Sequence, residues 1–344
     1  MSQPSFTDFS VSNFTGSFEQ DLVPNLILQS LGFFSSDFCD TPILNFDVIT
    51  RDREAVLAPV QRYGSAFETS ARNKASLHAI EMPFYMQLNE ISSSDYQGKR
   101  KQGTTEPLTA YDVLADYLIK HKTRAELTEE AVLAKALFTN TVSATHTQNP
   151  VIDMQAEFGL TQQTGNLSLL SATAKLDLEL DDQVHRVIRK NLGSYVSYLE
   201  NIYCFCGNRA FSLVKGHPSV REAFLSGAIS PALNPLINYA EQLPAVQSFA
   251  FNNITFLCVT DPLYNIGTND MFFVPKMNKQ AGIYKVMYGP ASRHADLASK
   301  GGARLYQYSV KEPRFANISA VAEQTLLPLC YLPDVVVKVV APTA

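Results

Sequence analysis

From Met1 to about Ile49, apolar and polar positions follow neither the period of 2 of a strand nor the 3.6 of a helix. Phe6, Phe9, Phe14, Phe18, Phe33, Phe34 and Phe38 are scattered there among Ser, Asp, Asn and Thr. A segment built this way cannot bury its own rings. It predicts an arm whose aromatics lie on another surface, a neighbouring copy in preference to its own body. Between Arg51 and Ile91 the pattern changes to alternation, with Val56, Ala58 and Val60, later Leu77, Ala79 and Glu81, and a return through Phe84, Met86 and Leu88. Strands fit this better than helices. The small, polar middle from Gly64 to Ser76 makes the segment a long two-stranded hairpin. Such a hairpin is marginal alone in water, so it calls for a partner surface.

Thr109 followed three residues later by Asp112 is a capping-box-like start, and Leu114, Tyr117, Leu118, Leu127, Ala131, Ala134 and Phe138 then fall at helical spacing. One helix from Thr109 to Phe138 would be about 45 Å long at 1.5 Å per residue; a break near Lys122 to Thr123 is the alternative. Periodicity is poor from Asn149 to Lys175. Leu176, Leu178 and Leu180 alternate with Asp177 and Glu179 as in a half-wet strand. An amphipathic helix is expected over Asp181 to Leu192, with Val184, Val187, Ile188 and Leu192 inward and Gly193 as its stop. Tyr195 to Cys206 reads as a strand, Asn208 to Lys215 and Pro218 to Ser226 as helices, and Gln247 to Thr260 as a hairpin turning at Asn252 and Asn253. Further strands are expected over Met271 to Lys276, Ile283 to Tyr288, Ala303 to Val310, Ile318 to Ala322 and Val335 to Val340. Strands at both ends of a mixed region require a sheet that joins distant segments, an α+β chain.

Composition adds a surface argument. Charged residues fill 18% of the 344 positions, below the usual quarter, while the hydrophobic share of 46% is ordinary. Polar surface exchanged for contact surface has that effect. The net charge of -5 excludes a protein whose main task is to grip phosphate backbones, and suits a wall around DNA that must not adhere to it. No run approaches the roughly 20 apolar residues that span a bilayer, and the start of the chain lacks a basic leader, so a soluble, cytosolic product is expected.

The chemistry-bearing residues are dispersed. Cys39, Cys204, Cys206, Cys258 and Cys330 read as reduced, buried hydrophobes, and the C-x-C of Cys204 and Cys206 lacks the two further ligands a zinc site needs. The six histidines, His78, His121, His146, His185, His217 and His294, stand singly and read as surface or capping residues. Asp177, Glu179, Asp181 and Asp182 could be paired carboxylates for catalysis or metal binding. Their favoured reading is the wet face of a strand followed by a helix N-terminus. Lys99, Arg100 and Lys101 form a basic loop for solvent or a subunit contact. No catalytic residue, metal or cofactor is called for.

The order of segments, aromatic arm, long hairpin, long helix, mixed body and returning strands, resembles the major capsid protein E family of lambda-like tailed phages. Leu57-Ala58-Pro59-Val60 and Met82-Pro83-Phe84-Tyr85 resemble that family's hairpin strands, and Tyr203 to Leu213 resembles its axial strand, glycine and helix. Ile254 to Val259 with Phe273-Val274-Pro275 resembles the strands that follow, and Leu327-Pro328-Leu329 with Pro333 to Val339 resembles its C-terminus. The tip here lacks the family's Gly richness and basic return strand, and no cross-linking pair carries over. The resemblance implies the Hong Kong 97-type capsid fold: an N-terminal arm over residues 1–50, an extended loop over 51–107, a peripheral domain with a spine helix over 108–150 and 305–344, and an axial domain over 151–304. It further implies self-assembly as hexamers and pentamers into an icosahedral head enclosing double-stranded DNA without sequence-specific binding. Decoration, scaffolding and portal proteins of the same phage would be partners. Inter-subunit contact is expected at Phe14, Phe18, Phe67, Arg72, Lys74, Leu77, Lys99, Arg100 and Lys101. Alternatives are an encapsulin-like compartment shell, which shares the fold, and an unrelated cytosolic enzyme.

Overall fold

Residues 25–50, read above as irregular arm, are structured. A computed structural model describes residues 25–50, 74–101, 104–143, 151–225, 246–314 and 317–342. Helix α1 (Ile27–Leu31) ends on Gly32 at φ +65°, a left-handed conformation that suits glycine, and strands β1 (Ser35–Phe38) and β2 (Ile43–Thr50) follow. Ile27, Leu28, Leu31 and Phe33 are buried, and the Phe33 ring meets Tyr203 edge-on at 5.4 Å and Phe205 at 5.7 Å. This stretch therefore lies on its own body, against the expectation of a neighbour. Its first elements, α1 and β1, are too short to show a period, and their partners stand far along the chain.

Strands β3 (Lys74–Glu81) and β4 (Phe84–Ile91) match the alternation read from the sequence, but the partner of β3 differs. β3 pairs antiparallel with β2, from Ile43 opposite Glu81 to Thr50 opposite Lys74. The ladder thus begins at Ile43, inside the stretch assigned to the arm, instead of at Val56. Its base is amphipathic with the strand period of 2. Leu44, Ile80 and Met82 join a core with Ala136, Val142, Ile152, Met154, Leu327 and Leu329, while Phe46 stacks on His78 and touches Phe158. Ile43, Asn45, Leu77, Ala79 and Glu81 face out.

A short helix α2 (Ser93–Tyr96), capped by Ser92 and Asp95, precedes the long helix α3 (Ala110–Phe138). Thr109 N and Oγ1 both donate to Asp112 Oδ2, at 2.9 and 2.6 Å, and the Asp112 amide donates to Thr109 Oγ1 at 3.3 Å. The helix is continuous over 29 residues, with no break at Lys122. Short strands β5 (Thr141–Ser143) and β6 (Val151–Asp153), helix α4 (Met154–Phe158) and strand β7 (Gln163–Gly165) fill the aperiodic stretch.

Leu176 to Leu180 is helical, not extended. Helix α5 (Leu176–Leu180) runs through a π turn (Asp181–His185) into helix α6 (Arg186–Leu192), which Gly193 ends at φ +54°. The buried apolar residues are Leu176, Leu180, Val184, Ile188 and Leu192, a strict step of four, with His185 buried beside them. Each such step overshoots an α-helical turn by about 40°. The wider π turn takes that drift back and keeps the stripe facing inward. Asp181 and Asp182 accordingly sit in mid-helix, not at a helix start.

Strand β8 (Leu199–Cys206) leads through Gly207 into helix α7 (Asn208–Gly216), and α8 (Pro218–Leu225) follows. Gly207 is required by contact: a Cβ there would stand 2.1 Å from the Gly267 carbonyl oxygen. Strands β9 (Ser248–Phe251) and β10 (Ile254–Cys258) form the expected hairpin, with Asn252 and Asn253 at φ +50° and +57°. With β11 (Asp270–Met277) and β15 (Val337–Val340) they complete a six-stranded sheet in the order β7-β15-β11-β8-β10-β9, in which β8 and β10 are parallel. A second sheet is built on β14 (Ile318–Cys330), whose Leu326–Cys330 part pairs with β12 (Tyr284–Tyr288), which in turn carries β1. Its Ile318–Glu323 part pairs with β13 (Tyr306–Lys311).

The described residues divide into two units. The smaller holds residues 85–127 and 305–323; the larger holds 26–84, 128–304 and 324–342.

Candidate functional site

In each unit, surface polarity runs against what water alone would select. The larger unit presents the outer face of the β2–β3 ladder, where Leu77 is 73% exposed opposite Asp47 and Ile43 is exposed at the base. Lys74 ends the same ladder, opposite Thr50. Phe14, Phe18, Phe67 and Arg72 lie outside the described residues.

The smaller unit has a strand with inverted amphipathicity. On β4, Gln87 and Asn89 alternate with Met86 and Leu88, and it is the polar pair that is turned inward, while Leu88 is 51% exposed. The inward pair meets His121, which donates from Nε2 to Asn89 Oδ1 at 2.7 Å. Burial and then Arg124 hold the His121 imidazole below its usual pKa, so it is neutral, and its Nδ1 and Gln87 Oε1 are buried without hydrogen-bond partners. On α3 of this unit Tyr111 is 76% and Ile119 65% exposed. Large apolar residues in water beside buried amides mark a surface meant to be covered.

The basic loop is tied down locally. Arg100 Nη1 donates to the Thr104 carbonyl at 2.8 Å, and Lys101 Nζ lies 3.1 Å from Asp112 and 3.7 Å from Glu106. The Asp112 hydrogen bond pushes the Lys101 amine up, and the same carboxyl is held below the usual range, chiefly by Thr109. The Lys99 side chain is exposed.

Sequence reasoning missed Glu129 and Glu130, whose positions on α3 look like an ordinary wet face. Both are buried in the larger unit. Glu130 Oε1 accepts the Leu28 amide at 2.6 Å and the Tyr264 hydroxyl at 2.7 Å, and Oε2 accepts the Gln29 amide at 3.2 Å. Burial nevertheless pushes its carboxyl up, and burial together with Glu130 pushes the Tyr264 phenol up. Glu129 takes the Tyr288 hydroxyl at 2.7 Å and Arg304 Nε at 2.9 Å. Glu130 thereby anchors α1 to α3. The only available signal was two adjacent carboxylates on a helix otherwise turning apolar.

The remaining candidates are structural. Cys204 and Cys206 are buried and reduced with sulfurs 3.3 Å apart, and burial holds the Cys204 thiol protonated. Among the described residues no group of three or more His, Cys, Asp or Glu could hold a metal ion. Of the histidines read as surface or capping residues three are buried: His121, His185, bonded to the Asn252 carbonyl at 2.8 Å, and His217, which caps the end of α7 and bonds the Ser171 carbonyl at 3.1 Å. An imidazole can replace a missing donor in a core, a role the sequence does not display. His78 lies 2.6 Å from Glu157, and His146 is outside the described residues. Among the described helices none is long and apolar enough to cross a membrane.

Comparison with known proteins gives a consistent picture. A model of the family described as phage major capsid protein E matches residues 10–341. The major capsid protein of Salmonella phage Felix O1 is 23% identical over 359 residues, covering 96% of each chain. Among solved structures, the capsid of Cyanophage P-SCSP1u superposes with a TM-score of 0.54 at 12% identity, covering 100% of this chain and 96% of that one. The capsid of a native GTA particle does so with a TM-score of 0.57 at 11% identity, covering 98% and 96%. At such identities the likeness is one of fold.

Proposed function

Since the chain belongs to the phage major capsid protein E family and has the Hong Kong 97-type capsid fold, we propose that it assembles as hexamers and pentamers into the icosahedral head that encloses packaged double-stranded DNA. It is a structural subunit of the virion and not an enzyme. The observation that carries the assembly reading is the surface polarity: Met86 and Leu88 outward with Gln87 and Asn89 inward, and Leu77, Tyr111 and Ile119 in water. A neighbouring copy would remove these from water at about 25 cal/mol per Å².

In this reading residues 1–50 act as the N-terminal arm, 51–107 as the extended loop, 108–150 and 305–344 as the peripheral domain, and 151–304 as the axial domain. The β2–β3 ladder, packed at its base on its own body, extends the loop's root back to Ile43. Phe14, Phe18, Phe67, Arg72, Lys74, Leu77, Lys99, Arg100 and Lys101 would touch neighbouring copies, Leu77 being the best supported by its exposure. Decoration, scaffolding and portal proteins would complete the head, DNA would be enclosed without sequence recognition, and assembly would proceed in the host cytoplasm.

Electron microscopy of the purified chain tests this: hollow shells, tubes or capsomers are expected, and a monodisperse monomer across salt and concentration would overturn it. Replacing Gly64 to Asn73, which leaves the β2–β3 ladder whole, with a short Gly/Ser linker should leave the unfolding temperature unchanged and abolish shells. Normal shells from that variant would sink the clamp role of the loop.

A further inference from the structure

The helical rod from Leu176 to Leu192, about 25 Å long, buries one stripe and leaves a solvent side whose two ends differ in sign. Asp177, Glu179, Asp181 and Asp182 occupy the first part; Arg186, Arg189 and Lys190 occupy the second. We propose that this side is a joint between neighbouring copies, the acidic end of one chain against the basic end of the next, closing a ring. The inference rests on the reading that the chain forms capsomers.

A helix dipole favours acid in the first turn and base in the last, and by itself would explain part of this pattern. It does not explain the apolar residues exposed within each end. Leu178 is 55% exposed among the acids, and the Ser168 amide, donating to Glu179 Oε2 at 2.7 Å, ties the loop bearing exposed Leu170 to the same end. Beyond the basic end, Tyr195 and Tyr198 are exposed. Each end therefore carries apolar residues with charge around them, the composition of an interface core and its rim. The pair of Arg186 and Asp182, 3.5 Å apart with both side chains largely in water, does little for the chain itself.

The complement of each end is present on the chain itself, so the partner is a second copy. An antiparallel two-fold contact would pair opposite ends but close at two copies, short of the ring that the capsomer reading calls for, and a parallel one would oppose equal charges. A head-to-tail contact pairs opposite ones, and a head-to-tail contact that closes is a ring.

Two variants test the joint: Asp177→Lys, Asp181→Lys and Asp182→Lys together, which leave Glu179 as the sole carboxylate of the four and make both ends basic, and Arg186→Glu with Arg189→Glu, which makes both acidic. Each alone should keep its circular dichroism and yield no rings or shells by electron microscopy. An equimolar mixture should recover six-membered rings by alternation and no five-membered ones, because alternation cannot close on an odd number. Particles at wild-type yield from either variant alone, or no recovery on mixing two folded variants, would overturn the joint. Should a variant lose its fold, Asp182→Asn with Arg189→Gln replaces it; a tenfold rise in the concentration needed for assembly is expected, and no change overturns the proposal. A wild-type chain that never assembles overturns the capsomer reading beneath it.

Discussion

In the second part of α3, Leu133, Ala134, Ala136, Leu137 and Phe138 are buried, and Glu129 and Glu130 have their oxygens occupied. In the first part, from Ala110 to Arg124, His121 alone is buried, and Tyr111 and Ile119 stand in water. Both parts belong to one continuous helix, and apolar side chains occur in both. The difference teaches that one continuous helix serves two requirements: one part completes the core of its own chain, and the other offers apolar surface that its own chain leaves uncovered.

The largest expected effect breaks the comparison if it fails to appear. Leu137→Ala should cost the isolated chain about 2 to 5 kcal/mol, read by chemical denaturation under non-assembling conditions, because it opens a cavity in a packed core. A loss no larger than that of a surface substitution would remove the distinction between the two parts. Tyr111→Ser with Ile119→Ser should change that stability by no more than about 0.5 kcal/mol, yet eliminate particles. Intact shells from this double variant would mean that the exposed face is covered by nothing.

The smallest effect sharpens the contrast through pH. The folded pKa of Glu130 is raised, so its contribution to stability is full at low pH and falls as pH rises from the ordinary carboxylate value, about 4.3, through the raised one. The folded pKa of His121 is lowered, so its contribution is present above the ordinary imidazole value, about 6.5, and is lost as pH falls through it. Acidification from pH 7 toward 4.5 should therefore tighten amide exchange around Glu130 and loosen it around His121. Glu130→Gln should flatten the first response and His121→Gln the second. Responses of the same sign in both parts would contradict the assignment.

Features written in local chemistry were legible in the sequence. The Thr109 and Asp112 start, the Asn252-Asn253 turn and the Gly193 stop each depend on residues within a few positions of one another. Leu176 to Leu180 was not, because Leu-Asp-Leu-Glu-Leu satisfies a period of 2 as well as a step of 4, and only the continuation through Val184 and Ile188 decides between them. β14 reaches to Cys330, past the expected end at Ala322, because Glu323, Gln324 and Thr325 look wet but are buried with polar partners. Of the exposed apolar surface, the alternation of β4 was visible, but its direction was not: period 2 tells which residues share a face and not which face meets water. Glu129 and Glu130 take their meaning from Leu28, Tyr264 and Arg304, which no local pattern connects to them.

The pairing of β1 with β12 puts Ser35 opposite Lys285, 250 residues further on. During synthesis at roughly 5 to 20 residues per second, β1 would wait about 12 to 50 s before its partner strand exists. Loop closure over such a span is slow as well, so this N-terminal sheet edge is finished long after it is made. A nascent chain lacks this edge until β12 has been made, and the ribosome thereby acts as a timer on when the two strands can meet.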